Sequence, residues 1–178
     1  MITAIDPRRL KFVDEAGVNL AMTRLYGRAL PGERVIGTVP QNDGQHVTIL
    51  GAVGVQGIQA VMTVEGPTDT EVFRAYIKHV LGPTLTAGDM VVMDNLAAHK
   101  APGIQQMLAR RRVRLLYLPP YSPDLSPIEP CWSKVKTALR KAKARTREAL
   151  DTAITDALGT ITAMDALGWF RHCGYALH

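Results

Sequence analysis

The stretch Tyr117–Arg140, Y-L-P-P-Y-S-P-D-L-S-P-I-E-P-C-W-S-K-V-K-T-A-L-R, restricts the fold more than any other part of the chain. Pro119, Pro120, Pro123 and Pro127 each fix φ at about −65° and remove a backbone donor, so the connection is stiff and cannot enter a sheet. A helix follows. Ser126 reads as its N-cap, Pro127 as its first residue and Glu129 as the third, which is an S-x-x-E capping box with proline where the missing N–H costs nothing. On that local reading Glu129 caps its own helix. Only the rest of the chain gives it another role.

A chain of 178 residues with 47% hydrophobic content fits one domain with a core deep enough for buried strands. It has no long apolar run and no basic-then-apolar N-terminus, so no membrane span or signal peptide is expected and the reading is cytoplasmic. Cys131 and Cys173 lack metal-type spacing and read as packing residues. The net charge is only +5, but eleven Lys or Arg and just two acids, Asp124 and Glu129, fall between Arg110 and Arg147. Such a concentration is the footprint of a surface that meets a polyanion, although a solvated basic helix would look the same.

In chain order, Arg9–Val13 reads as a strand ending at Asp14, and Asn19–Arg28 as a second extended segment closed by a turn at Leu30–Glu33. Val47–Val53 and Ile58–Val64 pair as a hairpin. The G-x-x-G-x-x-G from Gly51 to Gly57 is its turn, because a phosphate loop would need a following helix and a lysine. Thr68–Leu81 is a helix with a Thr68/Glu71 capping box. Met90–Met93 is wholly apolar, hence a central strand, and Asp94 follows it. Pro102–Arg111 reads as helix, Val113–Leu118 as a buried strand, and Thr146–Phe170 as a final helical stretch. The order predicts an α/β domain: a mixed five-stranded sheet, an antiparallel meander extended by parallel strands, flanked by helices.

In open sheets the reactive crevice lies beyond the carboxyl ends of the parallel strands, where this reading puts Asp14 and Asp94. Three acids meeting there, Asp14, Asp94 and Glu129, would repel one another without a cation. Oxygen ligands of this kind suit Mg²⁺ or Mn²⁺, and two such ions would clamp a phosphodiester for in-line displacement. Glu15, beside Asp14, points to the other side of the sheet by alternation and reads as structural. Trp132, Val135 and Leu139 form an apolar stripe and read as core. On the same helix Lys134, Lys136, Arg140 and Lys141 are candidate DNA contacts, with Lys136 and Arg140 on the Glu129 side.

V-D-E-A-G at Val13–Gly17, M-D-N-L-A-A-H-K at Met93–Lys100 and L-P-P-Y-S-P-D-L-S-P-I-E at Leu118–Glu129 together resemble a known family. It is the catalytic domain of bacterial insertion-sequence transposases of the mariner-related superfamily, DDE endonucleases whose fold is similar to ribonuclease H. The 34 residues between Asp94 and Glu129 match the interval of that group, and the resemblance covers nearly the whole chain. It implies that Asp14, Asp94 and Glu129 ligate two Mg²⁺ or Mn²⁺ ions to cut element ends and join the freed 3′ hydroxyl to target DNA. Asn95 and His99 are then candidates to orient a metal-bound water or contact a phosphate.

The resemblance also implies double-stranded DNA as partner, a homodimer, and nucleoid association during action. Ser126 stands where the family usually has asparagine, a mild change because both cap helices. The family's N-terminal helix-turn-helix has no counterpart, so the chain reads as a single catalytic domain: a second reading frame of a split transposase, a truncated gene product or a separate catalytic part, with a separate recognition subunit or reading frame as one candidate partner. Two alternatives stay open: a ribonuclease H-like nuclease that does not join strands, and a non-catalytic, DNA-binding partner remnant.

Overall fold

Leu10 opens the strand on which the sheet is built. In the computed structural model, which describes residues 5–96, 98–100 and 102–175, β1 (Leu10–Asn19) has neighbours along both edges. β2 (His46–Gly54) and β3 (Gly57–Glu65) extend the sheet as an antiparallel meander on one side. β4 (Met90–Met93) and β5 (Arg114–Tyr117) lie parallel on the other, giving the order β3-β2-β1-β4-β5. This is the expected mixed five-stranded sheet.

Its two faces are covered separately. α1 (Thr70–Ala75), prolonged by a widened π turn at Tyr76–Leu81, and α2 (Ile104–Arg110) pack on the face that receives Val13, Leu50, Val91 and Met93. α3 (Ile128–Ala142), α4 (Arg147–Gly159) and α5 (Ala163–His172) cover the face that receives Leu10, Phe12, Ile49 and Val92. Phe12 meets Phe170 edge-on at 5.5 Å in that layer.

Several boundaries differ from expectation, each for a physical reason. The first strand does not stop at Asp14: β2 pairs with it from Phe12 to Asn19, while β4 pairs only with Leu10–Phe12. Asp14 is therefore mid-strand on one edge and beyond the ladder on the other. The expected strand Asn19–Arg28 does not form, and residues 20–45 hold only turns and bends. Both edges of β1 are already taken, and Gly27, Pro31, Gly32, Gly37 and Pro40 interrupt any regular run. Leu25, Tyr26, Leu30, Val35, Ile36 and Val39 stay exposed there. The root of this excursion is fastened by Arg145, whose guanidinium donates to the carbonyls of Leu20 (2.7 Å) and Met22 (3.1 Å) and to Thr23 Oγ1 (2.9 Å).

Asp69, not Thr68, caps α1, accepting from Val72 N at 2.8 Å. The final stretch is two helices, because Thr162 and Asp165 form a capping box that starts α5. The box expected of Ser126 and Glu129 is not made. Pro127 takes the N-cap position of α3 without a side-chain bond, and Ser126 N donates to Pro123 O at 3.0 Å. Among the described residues nothing hydrogen-bonds the Glu129 carboxylate, so it is not used by its own helix.

Candidate active site

Strand alternation sets the site. Phe12 and Val92 are level in the β1–β4 ladder and face α3, so Asp14 and Asp94, each two residues further on, are level with one another beyond it. α3 covers that same face and brings Glu129 in its first turn. Asp14, Asp94 and Glu129 line one open cleft of about 410 Å³, whose lining also includes Pro119, Pro120 and Tyr121.

Asp14 is the most enclosed of the three. Burial, then the charges of Glu129 and Asp94, push its carboxyl from 3.8 up to about 6, against the lowering effect of the Glu15 backbone N–H and of His99. Its Oδ2 accepts from Trp132 Nε1 at 3.1 Å. The indole reaches it because Gly51, opposite Asp14 across the β1–β2 ladder, has no side chain: a Cβ there would stand 2.9 Å from the Trp132 ring. Trp132 is thus core, as expected, and also a clamp. Its spacing of one helical turn from Glu129 was the available signal, while the role of Gly51 depends on cross-strand register.

Asp94 is held from the other side. Its Oδ1 accepts from Leu96 N at 3.0 Å and lies 2.6 Å from His99 Nδ1. His99 is fully buried, stacked 4.4 Å from the Phe73 ring, and its Nε2 is 3.8 Å from Glu15 Oε1. Burial alone would lower the His99 pKa, but the Glu15 and Asp94 carboxylates outweigh it and hold the pKa above the ordinary 6.5. Glu15 does face away from Asp14, yet it is tied to the site through this imidazole. Asn95 donates its amide to Leu118 O, fastening the ends of β4 and β5 together.

Among the described residues none of the three carboxylates is paired with Lys or Arg. Nor do any three His, Cys, Asp or Glu side chains converge on one point as a metal ligand set. The acids share a cleft and a field, with Asp14 and Asp94 turned toward separate partners. As donors they fit a hard divalent cation: oxygen only, unpaired with Lys or Arg, and close enough that Glu129 and Asp94 help raise the Asp14 pKa, a repulsion that a cation would relieve.

The basic run is not one surface. Arg110, Arg111, Arg112 and Arg114 are exposed around the turn into β5, at the end of the sheet opposite the acids. Lys134 is committed to Asp165 Oδ2 (2.7 Å) and Thr160 O (2.9 Å), which ties α3 to α5 and holds the Asp165 carboxyl down at about 2. Arg145 and Arg147 are likewise engaged within the fold. Lys136 and Arg140 line a groove between α3 and residues 17–43, and Lys141 is exposed beside them.

Comparison with known proteins bears on the family and the fold. Residues 9–151 match the family described as DDE superfamily endonuclease. The Tcb1 transposable-element transposase of Caenorhabditis briggsae is 26% identical over 108 residues, 58% of this chain and 40% of that protein. The Mos1 transposase paired-end complex with the left transposon end superposes with a TM-score of 0.69 at 16% identity, covering 94% of this chain and 52% of that one. The Mos1 mariner paired-end complex with Mg gives 0.68 at 16% identity (93% and 51%), and that with Mn gives 0.65. The ribonuclease H-like fold is shared, and the chain spans about half the length of these structures and two fifths of the curated relative.

Proposed function

The chain belongs to the DDE superfamily endonucleases, and from that premise we propose that it is the catalytic domain of a transposase. It would cut DNA strands at element ends and join the freed 3′ hydroxyl to target DNA. The observation that carries this reading is the set of three carboxylates that line one cleft with no Lys or Arg pairing them among the described residues, one of them pushed to about 6. Asp14, Asp94 and Glu129 would hold Mg²⁺ or Mn²⁺, with two ions the number that suits in-line displacement. When bound, the metal supplies Lewis acidity toward the phosphodiester and a more acidic water or hydroxyl.

The protein's part is placement. Trp132 holds Asp14, and His99, backed by Glu15, holds Asp94. Lys136, Arg140 and Lys141 lie on the helix that carries Glu129, where ammonium and guanidinium groups can track a phosphate backbone. Double-stranded DNA is the partner. A homodimer, a separate recognition subunit, membership of the bacterial insertion-sequence branch and cytoplasmic, nucleoid-associated action belong to the same reading. Among the described residues no helix is long and apolar enough to cross a membrane.

A second reading, a DNA-binding remnant without catalysis, draws on the separation of the carboxylates. Incubation with labelled duplex DNA and Mg²⁺ or Mn²⁺, beside Asp94→Ala, decides between them. Metal-dependent nicking or joining that the variant lacks supports the enzyme, and binding by both proteins without cleavage sinks it. Product analysis then separates strand transfer from hydrolysis alone.

A further inference from the structure

Only two tyrosines of the described chain are well exposed: Tyr26 in the apolar excursion and Tyr121 on the wall of the acid-lined cleft. Tyr121 contributes nothing to the core, since its side chain is fully solvent-exposed. Its backbone is at φ 56°, the left-handed region that a bulky residue avoids unless the surroundings impose it.

The surroundings do impose it. Leu118 N donates to Met93 O at 2.8 Å, Leu125 N to Ser122 O at 3.2 Å, and Tyr175 Oη to Leu125 O at 2.7 Å, while Pro119, Pro120 and Pro123 stiffen the chain between. An aromatic ring is therefore projected into solvent from a loop braced at both ends, on the lining of the cleft that three carboxylates share. Folding gains nothing from the ring.

We propose that Tyr121 is a stacking platform for a nucleobase of an unpaired nucleotide next to the scissile phosphate. This rests on the reading of the cleft as a site for DNA phosphodiesters. A phosphate drawn to the acidic floor by bound cations leaves its attached base to be received by the wall, and there the wall is apolar: Leu96, Pro119, Pro120 and Tyr121. Every base has a π-face, so a rigid, exposed ring accepts any of them once it is out of the duplex. Pre-setting the ring on a braced loop removes most of the ordering cost of binding.

The test uses the full chain with Ca²⁺ in place of Mg²⁺ or Mn²⁺, so that a cation can bridge carboxylates and phosphate while no strand is cut, with a short forked duplex carrying 2-aminopurine in its single-stranded arm and a blunt duplex of the same paired sequence. Wild type and Tyr121→Phe are expected to bind the fork with equal affinity and quench the probe. Tyr121→Ala is expected to bind the fork about tenfold or more weakly, without quenching, and to bind blunt duplex as wild type does.

Equal fork affinity and equal quenching in Tyr121→Ala would overturn the stacking assignment while leaving the DNA reading intact. So would a change confined to self-association, which would mean that the ring meets a second copy of the chain. If wild type binds neither duplex, the DNA reading fails with it. Because the side chain touches no core residue, thermal unfolding of Tyr121→Ala should match wild type.

Discussion

The short central strand β4 has an aspartate at each end, and the two could hardly be treated more differently. Asp89, just before it, is buried and fully satisfied: Thr86 N donates at 2.8 Å, Thr86 Oγ1 at 2.9 Å, and Arg9 approaches to 3.5 Å. Asp94, just after it, lines an open cleft beside two more acids and has only a histidine and a backbone amide for company. The same side chain on the same strand is a staple at one end and an available ligand at the other. What separates them is enclosure: Asp89 is buried among its donors, whereas Asp94 keeps an open side toward the cleft.

The contrast breaks most cleanly by exchange of losses. Asp94→Ala should reduce metal-dependent DNA cleavage on the order of a thousandfold with the fold intact, because several kcal/mol of transition-state stabilisation go with the metal. Asp89→Ala should leave the chemistry in place but lower stability by roughly 1–3 kcal/mol, the cost of stranding buried partners, read as a drop in Tm. An Asp94→Ala protein that cuts as fast as wild type would remove the distinction.

Next in size is the pH dependence of the uncompensated end. The folded-state pKa of Asp14 is raised from 3.8 to about 6, so the folded protein holds that proton more tightly than the unfolded chain does. The stability this gives is complete below 3.8 and lost as pH rises through about 6. In chelator Asp14→Asn should therefore be more stable than wild type at pH 8, by on the order of 3 kcal/mol, with the gap closing below pH 3.8. Denaturant unfolding across that range reads it. Mg²⁺ or Mn²⁺ should shrink the gap by stabilising wild type alone.

Smaller again, Gly51→Ala drives a methyl into the Trp132 ring and should cost roughly 1–3 kcal/mol, with cleavage falling further than stability because the Asp14 clamp is displaced. The least effect is expected at Lys134. Lys134→Ala should lower Tm slightly at neutral pH and converge with wild type as pH falls through about 2, below which Asp165 is protonated in both. DNA affinity should not change. Arg140→Ala should instead weaken DNA binding and flatten its salt dependence by about one ion.

Much of the arrangement was readable before any coordinates. M-V-V-M read as a strand covered on both faces, and the carboxyl ends of the parallel strands as the place where Asp14 and Asp94 would meet, whereas the register that makes them level came only with the fold. The capping box at Ser126 was misread because Pro123 O takes the Ser126 amide that Glu129 would have bonded, a choice made by the preceding 3₁₀ turn at Pro123–Leu125. The strand expected at Asn19–Arg28 had the right composition but no free edge to join. His99 and Glu15 could be named but not connected, since they meet only when the loop after β4 folds back over Phe73. Lys134 shows the limit of counting charges: its partner lies 31 residues on, in another helix, with α4 between them in the chain.

Arg145 has one more consequence. It sits just beyond the C-terminal end of α3 and grips the first residues of the apolar excursion through three acceptors. The base of that excursion runs on directly from β1, the strand of Asp14. The strand of the first carboxylate and the helix of the third are thereby joined a second time, by one guanidinium outside the cleft.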